Sequence, residues 1–354
     1  MAEVKKVLKA LLVLLIVLVA AVAGLIGYLS LAEYRPEAVE PLEVTQAARH
    51  ENVRVGERLD VLTFNTGYAG LGRNQDFFMD GGQMVRPDSR KDVEQNLGGI
   101  LSALSQKPAD VYMLQEVDFN SYRSYYLNEG EYYRHGLSMN MAKAYNYKCE
   151  FVPFPWPPIR KVESGLVTFT SLNVTDATRE SLPVPFQWPV RVANLKRCLL
   201  IERVPVEGTD KELVLINLHL EAYDDGEGKQ AQTKQLMEIL AAEYRNGNYV
   251  IAGGDFNQTF EEADVYPVLD ETYWRPGKLY VSELPKGFSY VYDASSPTCR
   301  LLNKPYDGNR DEAQLFVIDG FIVSDNLKVN HVETIDLNFA CSDHNPVFLQ
   351  VTPQ

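Results

Sequence analysis

Short apolar segments rich in Val, Ile, Leu and Phe recur between turn residues from about residue 58 to the C-terminus. Segments of this kind predict β-strands, here at 59–65, 110–116, 164–171, 195–204, 212–220, 249–256, 315–324, 328–335 and 345–351. Two segments have a helical pattern: one begins at about Ser89, and the other covers about 227–243. Because strands often follow one another without a helix, the pattern favours an α/β fold of two packed sheets covered by helices over a (β/α)₈ barrel.

The N-terminus carries a different signal, a run of 23 residues without a charge from Ala10 to Ala32. As a helix this run spans about 34 Å, which is enough to cross a hydrocarbon core of about 30 Å. Lys5, Lys6 and Lys9 precede it, so we expect a cytoplasmic N-terminus and an extracytoplasmic domain in the cell membrane. A cleaved signal peptide is the alternative, because residues 21–23 resemble a cleavage site.

The chain is therefore expected to have four parts. Residues 1–9 form a short basic cytoplasmic segment, and 10–32 form a single-pass transmembrane anchor. Residues 33–57 contain two prolines and many charges without strand periodicity, which predicts a tether. Residues 58–354 form one catalytic domain. The net charge of −14 argues against binding nucleic acid mainly by bulk phosphate attraction, although a local basic groove remains compatible with it.

Polar side chains end or interrupt the predicted strands at several points: Asn65, Gln115, Glu116, Asn217, His219, Asp255, Asn257, Asp319, Asp343 and His344. Any one of them could be a turn former. Together they include two of the five histidines, and strand-end loops are where catalytic groups concentrate. We therefore expect a catalytic site at the strand ends.

These residue types suit hydrolysis at phosphorus. A hard cation such as Mg²⁺ prefers carboxylate and amide oxygens, which Glu116 and Asn65 offer. Asp255 can orient or deprotonate the attacking water. His344, held by Asp319 or by Asp343, can donate a hydrogen bond to the developing oxyanion or leaving group.

The order of the motifs FN (64–65), LQEVD (114–118), NLHLE (217–221), GGDFN (253–257), VIDGFIVS (317–324) and CSDHNPV (341–347) resembles the endonuclease/exonuclease/phosphatase superfamily. This superfamily includes DNase I-like nucleases, neutral sphingomyelinases and inositol polyphosphate 5-phosphatases. The resemblance covers about residues 58–351. It implies a DNase I-like, four-layer sandwich of two central mixed β-sheets flanked by helices, here preceded by the N-terminal transmembrane helix.

The resemblance also implies roles for individual residues and a divalent cation, Mg²⁺ first, with Mn²⁺ and Ca²⁺ as alternatives. The metal-site residues would be Glu116, Asn65 and Asp343. Asp255 would position the water, Asn257 would donate to the phosphate, and Asp319 would orient His344. The NxH motif would supply His219 for phosphate binding or acid catalysis and Asn217 for substrate binding.

Two further features remain open. The segment 164–171 ends in Thr170-Ser171 where the family strand often ends in Ser-Arg, so an arginine function is vacant or is supplied elsewhere, for example by Asn309 or Arg310. The segments 151–161 and 181–191 combine prolines with Phe and Trp. They either pack over the sheets or rim the site, where they would touch the membrane or an apolar substrate.

The sequence thus predicts a membrane-anchored, divalent-metal-dependent phosphoester hydrolase, a phosphodiesterase or phosphatase, that acts by in-line attack of an activated water. The anchor and the acidic domain favour a phospholipid headgroup or another surface phosphoester over nucleic acid. An extracellular DNase I-like nuclease and a non-catalytic binding domain of the same fold are the alternatives.

Overall fold

The computed structural model describes residues 1–47, 50–224 and 226–354. Its helices are Ala2–Leu31 (α1), Arg90–Gln106 (α2), Glu129–Leu137 (α3) and Glu227–Arg245 (α4). Its strands are, in chain order, Val39–Pro41 (β1), Val53–Arg54 (β2), Leu59–Asn65 (β3), Val111–Asp118 (β4), Asn140–Val152 (β5), Arg160–Thr170 (β6), Asp176–Ser181 (β7), Cys198–Glu207 (β8), Glu212–His219 (β9), Tyr249–Asp255 (β10), Gln258–Phe260 (β11), Gly277–Leu279 (β12), Phe288–Val291 (β13), Cys299–Arg300 (β14), Leu315–Phe316 (β15), Asp319–Ser324 (β16), Leu327–Thr334 (β17) and Val347–Pro353 (β18).

The two main sheets are both mixed. One has eight strands in the order β1-β7-β8-β9-β10-β16-β13, with β2 beside β8, and the other has six in the order β17-β18-β3-β4-β6-β5. The pairs β9–β10 and β3–β4 are parallel, whereas β10–β16 and β18–β3 are antiparallel. Two-stranded ribbons, β11–β12 and β14–β15, lie outside these sheets.

The sheets face each other and are covered on their outer sides by helices. Alternate residues of both sheets form the core between them, for example Val61 and Met113 from one and Leu200 and Ile251 from the other. Helix α2 packs on the outer face of the six-stranded sheet, and α4 packs on the eight-stranded sheet. This helix–sheet–sheet–helix order confirms the predicted four-layer sandwich.

The local sequence explains where helix α2 begins. The Ser89 hydroxyl accepts a hydrogen bond from the Asp92 N–H, and the Asp92 carboxylate accepts one from the Ser89 N–H, so the two residues form a capping box. The buried face of the helix then recurs at helical spacing, at Val93, Leu97, Ile100 and Leu104. The predicted start at Ser89 is therefore one residue from the observed one.

The described residues of the segment predicted as a tether, 33–47 and 50–57, pack along the domain. Strand β1 pairs with β7 and β2 pairs with β8, while Leu42 and Val44 contact the core between the sheets. Only two or three residues pair in each case, which is too short to produce a strand pattern in the sequence. This part of the chain is therefore held against the domain, while the division of the chain into four parts stays a prediction.

Helix α1 is longer than the predicted span of 10–32. The stretch Glu3–Leu31, with a mean hydropathy of 3.1, is long and apolar enough to cross a membrane, a test that a signal sequence also passes. Most of the helix is exposed, but Leu29 near its C-terminal end is buried against Val152, Val162 and Val192. The C-terminal end of α1 therefore contacts the domain directly.

Candidate active site

Strand direction brings the predicted polar residues to one edge of the paired sheets. Because β3 and β4 run parallel, their C-terminal ends place Asn65 beside Gln115, next to Glu116. The parallel pair β9–β10 likewise places His219 opposite Asp255. Strand β16 runs antiparallel to β10, so its first residue, Asp319, is paired with Asp255.

Backbone irregularities direct two of these side chains. The pairing of β4 with β6 shifts register between Leu114 and Val117, and Glu116 within this bulge has a φ of 55°. Bulges of this kind turn a side chain away from the regular strand direction. Asn257, just after β10, also has a positive φ, of 49°, which asparagine tolerates better than most residues.

His344 is held by Asp319. The Nδ1 atom of His344 lies 2.8 Å from Oδ2 of Asp319, and its Nε2 atom lies 3.7 Å from Oδ2 of Asp255. Burial by itself would lower the pKa of His344, but the carboxylates, with Asp319 foremost, outweigh burial and hold this pKa well above its usual value. The imidazole is therefore protonated, with Nδ1 donating to Asp319.

His219 also contacts the carboxylate of Asp255, but its ring is neutral. Its Nε2 atom lies 3.4 Å from Oδ2 of Asp255. Burial, reinforced by the positive charges of Arg197 and His344, lowers the pKa of His219 well below its usual value. One histidine is therefore neutral and the other is charged, a division of the kind that separates acid and base functions.

Asp255 lies at the centre of this group. Its Oδ1 accepts a hydrogen bond from the Asn257 N–H at 2.8 Å, and its Oδ2 accepts one from Nδ2 of Asn65 at 3.0 Å. Burial and the nearby Asp319 raise its pKa to about 6, against the opposing effects of His344 and of these hydrogen bonds. Such a carboxylate can exchange a proton near neutral pH.

The carboxylates of Glu116 and Asp343 fit a hard divalent cation, whereas Asn65 turns its amide N–H, and not its oxygen, to Glu116. Burial and the charge of Glu116 raise the pKa of Asp343 to about 7, so these two carboxylates repel each other unless a cation lies between them. Asn65 donates from Nδ2 to Glu116 at 3.1 Å, and its Oδ1 accepts from the Gly67 N–H at 3.0 Å. Oxygen-rich donor sets suit Mg²⁺. The metal assignment itself stays a prediction.

A second group of potential metal ligands consists of two carboxylates and a histidine. Single ligand atoms of Asp255, Asp319 and His344 all lie within 4.8 Å of one another. Because His344 and Asp319 are hydrogen-bonded to each other, we interpret this group as an acid–base relay and keep Glu116 and Asp343 as the cation candidates.

Three arginines that the motifs did not reveal line the same cavity: Arg123, Arg197 and Arg300. Asp118 holds Arg123 through two hydrogen bonds of 2.9 and 3.1 Å, and the guanidinium lies 3.7 Å from the centre of the Tyr68 ring. Arg197 donates to Glu221 at 3.3 Å and to the His219 carbonyl at 3.1 Å. These arginines lie outside the strand-end motifs, which is why the motifs did not reveal them.

Three expectations are corrected by the structure. Asn217 is fully buried, accepts from Gln115 Nε2 at 2.8 Å, donates to the carbonyls of Leu114 and Val167, and does not line the cavity. It therefore joins the two sheets and does not bind substrate. Arg310 instead pairs with Asp336, and Asn309 caps the short turn Arg310–Glu312.

Thr170-Ser171 is the third case. Thr170 pairs with Val111 at the start of β4, whereas Glu116 lies near the end of that strand. These residues are therefore at the opposite end of β6 from the site, and no arginine function is vacant there.

The site lies in a cavity of about 610 Å³. The surface of this cavity is mostly apolar, and its lining includes Glu116, His219, Asp255, Asn257, Asp343 and His344. A volume of this size is typical of small-molecule sites, which fall at about 300–1,000 Å³.

A family model described as the Endonuclease/Exonuclease/phosphatase family matches residues 62–344. The chain belongs to this family. Its fold is therefore of the phosphoesterase type, and the family contains hydrolases. A comparison with curated proteins found no match.

Solved structures of this family and of related proteins share the fold. An endonuclease/exonuclease/phosphatase from Beutenbergia cavernae DSM 12333 is 15% identical over 84% of this chain and 72% of that chain, with a TM-score of 0.55. One from Bacteroides vulgatus is 14% identical over 84% and 100%, with a TM-score of 0.54. A humanized D. rerio TDP2 carrying 14 mutations is 16% identical over 83% and 99%, with a TM-score of 0.50. At these identities the likeness concerns the fold alone.

Proposed function

We propose that this chain is a membrane-anchored, divalent-metal-dependent hydrolase of lipid phosphoesters. The observation that supports this function most strongly is the cavity, because it combines the acid and histidine cluster and three arginines with a surface that is otherwise mostly apolar. A phospholipid has the same combination, because its phosphate is polar and its chains are apolar.

The proposed reaction is an in-line attack of water on phosphorus. Asp255, held by Asn65 and by the Asn257 N–H, orients the water and accepts its proton. Protonated His344, fixed by Asp319, donates a hydrogen bond to the oxygen on which negative charge develops. A divalent cation bound by Glu116 and Asp343 would supply positive charge to the phosphoryl oxygens.

The arginines complete the phosphate environment without creating a nucleic-acid surface. Arg123 and Arg197 each remain paired with a carboxylate, Asp118 and Glu221 respectively, and both are largely buried. The net charge of the chain is −14. A protein that tracks a nucleic-acid backbone needs an extended basic footprint, so a small phosphoester headgroup suits this site better.

The first experiment compares substrates for the full-length protein in Mg²⁺ buffer. We expect hydrolysis of phospholipid vesicles, with a loss of at least about 100-fold in rate for Asp255→Asn because the general base is removed. Asp325→Asn is the control, since Asp325 is exposed and lies beyond the end of β16. Phosphomonoester and phosphodiester headgroups are assayed in parallel.

Plasmid DNA serves as the competing substrate in the same assay. Nicking of plasmid without lipid hydrolysis would instead identify a nuclease. Absence of both activities, in a protein whose fold is verified by circular dichroism, would favour the non-catalytic binding domain.

A further inference from the structure

The last two turns of α1 form part of the wall of the active-site cavity. Leu25, Ile26 and Leu29 line the same cavity as Asp255 and His344. Only 4% of Leu29 is exposed, whereas 92% of the nearby Leu31 is exposed. One face of the helix end is therefore turned towards the domain, and the anchor is continuous with the catalytic site.

The walls that face α1 are also apolar. They come from three separate segments of the chain, which contribute Phe78, Phe154 and Val190 among others. The Phe78 and Phe154 rings are in contact, with centroids 5.7 Å apart, and both Phe154 and Val190 remain largely exposed. We call the region lined by Leu25, Ile26, Leu29, Phe78, Phe154 and Val190 the apolar channel.

The part of α1 that lines the apolar channel is expected to lie near the membrane surface. The uncharged segment of α1 ends just before Glu33 and Arg35, so Leu25–Leu29 lies close to the boundary of the hydrocarbon. The indole N–H of Trp188 donates to Ser30 Oγ at 3.1 Å, and Trp156 is 90% exposed. Tryptophan is enriched at membrane interfaces, where lipid phosphates also lie.

We infer that α1 is part of the substrate site and that the apolar channel holds an alkyl chain of the lipid whose phosphate is hydrolysed. This inference rests on the proposed function. It commits to an amphiphile because two unlike sets of residues line one cavity: carboxylates, histidines and arginines, and the residues of the apolar channel. A fully polar phosphoester would leave the apolar walls uncovered, which is unfavourable for surface of this kind.

The test uses the full-length protein in one fixed detergent and two substrates with the same leaving group, ethyl and decyl p-nitrophenyl phosphate. Burial of each methylene contributes about 0.8 kcal/mol at most, or about fourfold. We expect kcat/KM to be at least about tenfold higher for the decyl ester. Leu25→Trp narrows the channel and should bring the ratio of kcat/KM for the decyl ester to that for the ethyl ester down to about one.

Leu31→Trp is the matched control, because the same substitution at the same helix end falls on an exposed residue and should keep the preference. Ile26→Phe is a second channel variant, which decides the question if Leu25→Trp loses ethyl ester hydrolysis as well. The inference would be overturned if the wild type and both channel variants preferred the decyl ester equally. It would also be overturned if the wild type hydrolysed the two esters equally well.

Binding of decylphosphonate, compared with ethylphosphonate, separates the inference from the proposed function, because the C–P bond is not hydrolysed. If neither ester is hydrolysed, the proposed function fails, and the binding ratio then decides the inference. Tighter binding of decylphosphonate that is lost in Leu25→Trp and kept in Leu31→Trp supports the channel. Equal binding of the two phosphonates contradicts it.

Discussion

Two histidines contact one oxygen of Asp255. They differ in charge because each has a different neighbour besides Asp255. His344 is bonded to the Asp319 carboxylate, whereas the carbonyl oxygen of His219 accepts from Arg197. The buried pair therefore provides one hydrogen-bond donor that is already charged and one ring that is not. This arrangement is suited to a reaction in which a proton moves from water while negative charge grows on a phosphate oxygen.

The role of Asn217 can be tested at the same scale. Asn217→Ala removes the hydrogen bonds that join β9 to the six-stranded sheet and leaves Gln115 Nε2 and two carbonyls with one partner fewer. We expect a loss of stability of about 2–3 kcal/mol, because buried polar groups lose their partners. Thermal unfolding in detergent measures the loss. KM of the folded fraction should be unchanged, and a large rise in KM would restore the substrate-binding role.

Elements of the fold were predictable to the extent that burial left a pattern in the sequence. Strands β9 and β10 are buried at nearly every position, so their apolar runs are continuous. Strand β5 is an edge strand in which Lys143, Lys148 and Glu150 interrupt the apolar residues, and it was missed. The predicted strand over 315–324 is divided into β15 and β16, between which Val317 and Ile318 are buried without strand pairing.

The candidate site was predictable where a catalytic residue follows a strand. Asp255 and His219 directly end buried strands, so their positions follow from topology. Arg123 lies in a loop, and Asp118 holds its side chain at the cavity. Arg300 lies in the short strand β14, and its side chain is held by main-chain carbonyls. Such long-range packing leaves no local spacing that a sequence pattern could reveal.

Strand β8 carries an unusual residue between the sheets. Glu202 alternates with Leu200 and Val204, both of which belong to the core between the sheets, and neither of its carboxylate oxygens has a hydrogen-bond partner among the described residues. Burial raises its pKa to about 8. Glu202 is therefore protonated in the folded protein at neutral pH and below.

This burial predicts a pH dependence of stability. Because the folded pKa of Glu202 exceeds the usual 4.5, its contribution to stability is complete below about pH 4.5 and is lost as the pH rises towards about 8. The change in the free energy of unfolding caused by Glu202→Gln should be more favourable at pH 8 than at pH 5, by on the order of 3–5 kcal/mol. Thermal unfolding at both pH values measures this, with the exposed Glu238→Gln as control. Equal effects at both pH values would contradict the prediction.

The aromatic loops 151–161 and 181–191 are the elements expected to meet the membrane. Trp156 and Trp188 are largely exposed, and both loops line the cavity through neighbouring residues such as Phe154 and Phe186. Replacing both tryptophans with alanine should lower hydrolysis of vesicle lipid by about tenfold or more, because interfacial anchoring is weakened. Hydrolysis of ethyl p-nitrophenyl phosphate should be unaffected. Unchanged vesicle activity would show that the loops do not act at the membrane.

At the scale of the whole molecule, helix α1, the aromatic loops and the catalytic cluster all contribute residues to the lining of one cavity. The C-terminal end of α1 enters the cavity wall, and segment 33–47 then runs from α1 along the domain, where Glu33 binds Arg191 and β1 pairs with β7. Such contacts restrict how the domain can turn relative to the membrane. We therefore interpret α1 as fixing the site towards the lipid surface.

Dependence on a divalent cation tests the central claim most directly. Full-length protein is treated with EDTA, and hydrolysis of phospholipid vesicles is then measured as Mg²⁺ is added back. We predict activity only with Mg²⁺, and in Glu116→Gln a Mg²⁺ requirement at least about tenfold higher, because a carboxylate ligand is lost. Hydrolysis at an undiminished rate in EDTA, or an unchanged Mg²⁺ requirement in Glu116→Gln, would contradict the account.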